Sequence, residues 1–238
     1  MNKPLFTKIT NISLINLTKI SVASLLISPY TVFAVQTHSS NSTLTNSSIY
    51  SNFKISQNFS KPCQKNPYIN DFFQALGVRE TGSLNAPYNT PPNQYGFMGK
   101  YQFGEALLEA IGYYQKSPNS RENSWQGHWL EKSQVSNTTE FLNNKNNVQE
   151  RAIRSAFSHN WNSIENQLRQ RGRSLKNYLG RRIGDTIITP SGILAAAHVE
   201  GDQNVVKLLV EGRESFDQNG TSNLCYLKEF ANYKVPRL

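Results

Sequence analysis

The sequence predicts a mainly α-helical fold, and three observations carry that expectation. Between residues 146 and 170, Val148, Ala152, Ile153, Ala156, Phe157, Trp161, Ile164 and Leu168 recur with a period of about 3.6 residues. Thr189-Pro190 reads as a helix cap followed by proline at the first helical position. No stretch alternates apolar and polar residues well enough for a sheet of more than a strand or two. The 238-residue length suits one domain, or one domain with appendages. Hydrophobic residues make up a low 37%, yet 11% aromatics are too many for a disordered chain, so a polar tail beside an ordinary core is expected.

Residues 1–34 read as an export signal: Lys3 and Lys8 give a positive start, Ile20 to Phe33 is mostly apolar, and Val32-Phe33-Ala34 suits a signal peptidase. The run is shorter than the roughly 20 apolar residues that span a bilayer and is interrupted by Ser21, Ser24 and Ser28. Cleavage near Ala34 is therefore expected, with no stable membrane anchor afterwards and a periplasmic or secreted location. No cysteine stands directly after that site, so a lipoprotein anchor is not expected. The formal charge of +9 drops to +6 with Lys3, Lys8 and Lys19 removed, leaving 22 basic against 16 acidic residues. Residues 35–61, rich in Ser, Asn and Thr, cannot bury enough apolar surface to offset the entropy of ordering and are expected to form a disordered linker. The domain then spans 62–238.

Cys63 and Cys225 lie near the two ends of that domain. In an oxidising compartment they are expected to form one disulfide, closing a loop of 162 residues and stabilising by about 5 kcal/mol in the chain-entropy model. The rival role, Cys63 as a nucleophile partnered by His38, His128, His159 or His198, lacks an activating motif in Lys-Pro-Cys-Gln-Lys.

From Pro67 a helix is predicted, with Tyr68, Ile69, Phe72, Phe73 and Leu76 on one face, Gly77 as its stop and Glu80 just beyond. Residues 81–99, rich in Gly, Pro, Asn and Tyr, predict a long loop, and loops of that length in a compact domain are usually functional or mobile. Tyr101 to Tyr114 returns to helix through Phe103, Leu107, Ala110 and Ile111. A short helix is expected over Trp125 to Leu130, a buried one over Ser191 to Val199, and two shorter ones over Val205 to Val210 and Leu224 to Tyr233.

Several chemistries are excluded by missing motifs. The chain holds no G-x-G-x-x-G, no phosphate-cradling G-x-x-x-x-G-K-[ST], no H-E-x-x-H, no C-x-x-C and no G-x-S-x-G. What remains is Arg79-Glu80-Thr81-Gly82, followed by Gly96-Phe97-Met98-Gly99-Lys100-Tyr101-Gln102-Phe103-Gly104. A carboxyl at the end of an apolar helix, facing a Tyr- and Asn-rich loop, is partly desolvated, and desolvation raises its pKa. A glutamic acid still protonated near neutral pH delivers a proton to a leaving oxygen.

These residues resemble a family. Glu80-Thr81-Gly82, followed about 20 residues later by Gly99-x-x-Gln102, resembles the Glu-Ser-x and Gly-Leu-Met-Gln motifs of the lysozyme-like lytic transglycosylases. Ala196-Ala197-His198-Val199-Glu200-Gly201 resembles their Ala-Ala-Tyr-Asn-x-Gly segment. A more specific resemblance, over residues 68–230, is to uncharacterised secreted bacterial proteins with a lysozyme-like domain; it rests on Gly99 to Ala106, Gly112 to Tyr114, Thr189 to His198 and Asp217 to Ser222. The resemblance implies a helical domain like goose-type lysozyme or soluble lytic transglycosylase. It also implies an exported enzyme that cleaves the MurNAc-GlcNAc β-1,4 bond of peptidoglycan glycan strands, with Glu80 as catalytic acid and no cofactor. Thr81, Gln102 and His198 are implied as substrate-binding residues, Thr81 by helping to orient the acid and Gln102 on the cleft wall. His198 and Val199 stand where the family has Tyr and Asn; His198 can supply a hydrogen bond and Val199 cannot.

Most glycosidases use two carboxyl groups, whereas the family resembled uses one Glu as acid and then as base toward the sugar's own 6-hydroxyl, giving a 1,6-anhydro product. No second acid occupies a recognisable motif position here; Glu105, Asp185 and Glu200 are available. The expectation is therefore a lytic transglycosylase, with a muramidase of the same fold or a non-catalytic wall-binding protein as alternatives. Tyr95 and Tyr101 are expected sugar-binding aromatics, and Tyr88, Phe97, Tyr113 and Tyr114 are further candidates. Arg151, Arg154, Arg169, Arg171, Arg173, Lys176, Arg181 and Arg182 form a basic stretch that suits either wall carboxylates or plain solvation; export makes nucleic acid an unexpected partner. Asp217 to Thr221 opens like a calcium loop but lacks the later acidic ligand and reads as a turn, so no metal is assigned.

Overall fold

A computed structural model describes residues 63–235. The leader expected over 1–34 and the linker expected over 35–61 lie outside the described residues. The architecture is mainly helical, with α1 (Phe72–Thr81), α2 (Glu105–Ala110), α3 (Thr138–Leu142), α4 (Val148–Gln170), α5 (Pro190–Glu200), α6 (Asp202–Glu211) and α7 (Asn223–Glu229). Two small antiparallel hairpins join them: β1 (Tyr114–Gln115) with β2 (His128–Trp129), and β3 (Arg182–Ile183) with β4 (Thr186–Ile187). No described helix is long and apolar enough to cross a membrane.

The long helix α4 buries Val148, Ala152, Ile153, Ala156, Phe157, Ile164 and Leu168, the face its periodicity foretells. Helix α5 starts as expected: the Thr189 hydroxyl accepts from the Gly192 N–H at 3.2 Å and Pro190 opens the first turn. Its residues Ser191–Ala197 are all buried, because α4, α6 and α7 pack around it. The aromatic centre of the core joins α1 to this group: Phe72 and Phe73 lie 5.4 and 5.9 Å from Phe157, and Phe72 meets Phe230 edge-on at 5.9 Å. Cys63 and Cys225 form a disulfide that ties the start of the described chain to α7 and leaves no free thiol.

Four expectations are corrected. Helix α1 begins at Phe72, where Asp71 caps it by accepting from the Gln74 N–H at 2.7 Å, so Tyr68 and Ile69 precede it. It runs through Gly77 and stops at Gly82, whose φ of 66° is left-handed. Gly77 serves close packing instead: a Cβ there would sit 2.8 Å from Lys100 Cγ and 2.9 Å from Ala86 Cβ. The helix expected over 101–114 forms only as α2, because Met98 and Phe103 pair in a β-bridge around Gln102 at φ 46° and Gly112 at φ 73° breaks the far end. Residues 125–130 form no helix: Trp125 is left-handed at φ 58°, His128–Trp129 make up β2 against β1, and Trp125 stacks parallel on Trp129 at 6.1 Å.

Candidate active site

Two helix C-termini converge on one cleft of about 820 Å³. Helix α1 supplies Arg79 and Glu80 from its last turn, and α5 supplies His198, Val199 and Glu200 from its own. A loop carrying Asn93, Tyr95, Phe97 and Gln102 forms one bank. The turn Phe216–Thr221 forms the other, with Tyr226 of α7 behind it.

Because α1 continues past Gly77, Glu80 sits on the helix rather than after it, at the negative end of the helix dipole, where an ionised carboxylate is disfavoured. Among the described residues Glu80 makes neither an ion pair nor a side-chain hydrogen bond; the ion pair of its neighbour Arg79 is with Glu229, at 3.7 Å. Burial pushes the Glu80 carboxyl up to about 8, against the pull of Arg79, with the charges of Asp217 and Glu229 adding to the rise. Such a group holds its proton at neutral pH and faces open space.

Gln102 is held rigidly: its amide donates to the Gly99 carbonyl at 2.9 Å and its Oε1 accepts from Asn93 at 3.0 Å. Asn93 also organises the bank above it, accepting from the N–H groups of Tyr95 at 2.8 Å and Phe97 at 3.2 Å. Tyr95 stands 43% exposed on that bank. His198 is wedged edge-on between Phe103 and Phe157, with Nε2 2.8 Å from the Tyr101 carbonyl. A carbonyl accepts only, so Nε2 carries the hydrogen and Nδ1 is a bare acceptor. Burial lowers this imidazole to about 4, leaving it neutral in the range where Glu80 is protonated.

Two expected site residues lie elsewhere. Tyr101 is wholly buried; its hydroxyl donates to Glu150 at 2.6 Å, so its apolar face fills the core instead of the cleft wall. The Thr81 hydroxyl donates to the Gly77 carbonyl at 2.7 Å and accepts from the Ser83 N–H at 3.2 Å, finishing the helix end rather than orienting Glu80. Tyr113 and Tyr114 are core residues as well, and Tyr88 bonds Glu150 at 2.7 Å, away from the cleft lining. None of the eight basic residues from Arg151 to Arg182 lines the cleft.

The resemblance sets the 196–201 segment beside the reacting sugar, and Glu200 of that segment lines the cleft with a carboxyl raised by burial. The structure adds two residues that sequence reasoning had not placed here. Asp217 lies in the expected turn, accepting from the N–H groups of Asn219 and Thr221, each at 2.8 Å, and from the Tyr226 hydroxyl at 2.7 Å. Phe216, beside it, is 64% exposed on the cleft. The signal for Asp217 was present as an Asp-x-Asn-Gly-Thr turn; nothing in it says what the turn faces. Of the other available acids, Glu105 is buried, with Oε1 accepting from the Trp125 N–H at 2.8 Å, and Asp185 is paired with Lys228 on the surface. Among the described residues, no group of three or more His, Cys, Asp or Glu side chains is placed to hold a metal ion.

Fold and site together define a mainly helical, disulfide-closed domain with a carboxyl-lined cleft between helix ends. Compared with protein-family models, with curated proteins and with solved structures, the chain matches none.

Proposed function

We propose that this protein is an exported peptidoglycan-cleaving glycosidase of lysozyme-like fold, in which Glu80 protonates the oxygen leaving the β-1,4 bond between MurNAc and GlcNAc. The observation that supports this most is the state of Glu80: a carboxyl raised to about 8, unpaired, on the wall of an open cleft. A general acid works best with a pKa near the operating pH. The cleft's volume lies within the roughly 300–1,000 Å³ common for ligand sites, and its banks offer aromatic faces and fixed amides suited to a sugar chain. The disulfide is compatible with an oxidising destination.

The sequence-based preference for a lytic transglycosylase rested on finding no second acid at a motif position. Glu200 and Asp217 now share the cleft with Glu80, so that ground no longer separates transglycosylase from muramidase. A non-catalytic wall-binding role draws on Val199, which lines the cleft and offers no hydrogen bond.

Digestion of purified sacculi tests the proposal. Soluble muropeptides are expected from the wild type, and Glu80→Gln is expected to release them about 100-fold or more slowly, the usual loss on removing a general acid. Binding without release by the wild type, or equal release by Glu80→Gln, overturns it.

A further inference from the structure

The cleft presents three carboxyl groups in three different settings. Glu80 is raised by burial and has no partner. Glu200 is raised by burial too, against the pull of the Ser215 hydroxyl and with the charge of Asp217 adding to the rise. Asp217 differs: three donors surround it, two backbone N–H groups on Oδ1 and the Tyr226 hydroxyl on Oδ2. Tyr226 keeps its proton, since burial pushes its hydroxyl well above the ordinary range, and so it remains a donor. Charge-assisted hydrogen bonds of this kind solvate a carboxylate in place of water.

The turn lines the same cleft as Glu80 and is tied in place. Phe216 and Ser222 pair in a β-bridge, and the Asp217 N–H donates to the Thr221 carbonyl at 2.9 Å. Arg79, next to Glu80 on α1, donates to the Thr221 hydroxyl at 3.2 Å and lies over the Tyr226 ring at 5.1 Å, bracing the turn against the helix that carries the acid. Two carboxyl groups in opposite settings within one site are the arrangement by which glycosidases divide acid and base roles.

We propose that Asp217 is the second catalytic carboxylate of this cleft, activating water against the anomeric carbon while Glu80 protonates the leaving oxygen, so that the glycan is hydrolysed rather than closed into an anhydro sugar. The inference rests on the function proposed above. In the step, the Asp217 carboxylate takes a proton from water and the water oxygen bonds to the anomeric carbon. The glycosidic carbon–oxygen bond breaks with its electron pair going to the leaving oxygen, which receives the Glu80 proton. One water is consumed, Glu80 ends ionised and Asp217 ends protonated. With two donors on Oδ1 and one on Oδ2, Asp217 keeps a lone pair on Oδ2 with which to take the proton of a water. The charged and titratable groups around this pair are Arg79 from α1, His198 and Glu200 from α5, and Tyr226 and Glu229 from α7.

Products from wild-type digestion of sacculi are to be reduced with borohydride and weighed, and the anomeric configuration of the first product read by NMR. New ends that borohydride reduces, with inverted configuration, are expected; 1,6-anhydro ends, or retained configuration, overturn the assignment while leaving Glu80 as the acid. Asp217→Asn is expected to lower kcat about 100-fold or more with KM changed only a few-fold. A folded Asp217→Asn at the wild-type rate also overturns it. Should the variant fail to fold, the wild-type product ends decide alone. Absence of any fragments from the wild type is a different result: it removes the glycosidase reading, and this assignment with it.

Discussion

Glu80 has a stability consequence that needs no substrate. Its carboxyl is raised from about 4.5 to about 8 by burial, so between those values the folded chain keeps a proton that the unfolded chain releases. Its contribution to stability is fully present below pH 4.5 and is lost as pH rises through 8, at about 1.4 kcal/mol per pH unit where the two states differ fully. Glu80→Gln removes the titration. The melting temperature of the variant relative to the wild type is expected to rise with pH and to be highest above pH 8; an offset that does not change between pH 4 and 9 contradicts the assignment. At this scale the sequence was legible where a residue's neighbours in the chain set its surroundings. Glu80 at a helix end and Tyr95 in its loop could be placed in that way, while Gln102 was expected inside a helix and was set on the cleft wall by the resemblance alone. Tyr101 could not: whether an aromatic beside a loop turns inward depends on Glu150, which lies on another helix. The same holds for Asp217, whose turn was readable and whose cleft-facing side was not.

Among the elements, the long and strongly periodic ones could be read well. Helix α4 was expected to start at Asn146 and starts at Val148; α5 begins at its Thr-Pro cap. The short ones were not readable, for physical reasons. The apolar residues from Tyr101 to Phe103 reach the core through a bridge and a left-handed turn, which places an apolar stripe inward as effectively as a helix does. Helix α3, of five residues, is too short to show a period. Gly77 exemplifies a residue whose role is decided by packing: glycine usually marks a helix end, yet here α1 needs it where Lys100 and Ala86 approach. Gly77→Ala gains helix propensity of at most about 1 kcal/mol. It forces contacts at 2.8 and 2.9 Å, and overpacking typically costs about 1–3 kcal/mol. A net loss in chemical denaturation is expected; a more stable variant would show that Lys100 and Ala86 yield freely.

For the whole molecule, the disulfide links both ends of the domain and closes a loop of 162 residues. Cys225 lies on α7, the helix that follows the turn carrying Asp217, so the bridge anchors an element next to the cleft. Reduction is expected to remove about 5 kcal/mol, which for a domain of this size lowers the melting temperature by on the order of 10–20 °C. An unchanged melting temperature after verified reduction would show that helix packing alone holds the ends. The helical class and the cysteine pairing were legible from sequence because each follows from composition, period or compartment. The meeting of α1, α5 and the 216–221 turn around one cleft was not, since it is a property of packing between distant segments. The most direct measurement is a 13C NMR titration of the Glu80 side-chain carboxyl, identified by its loss in Glu80→Gln. A midpoint near pH 8 is expected, while a midpoint near 4.5 would mean an ionised surface carboxylate and no acid for this cleft.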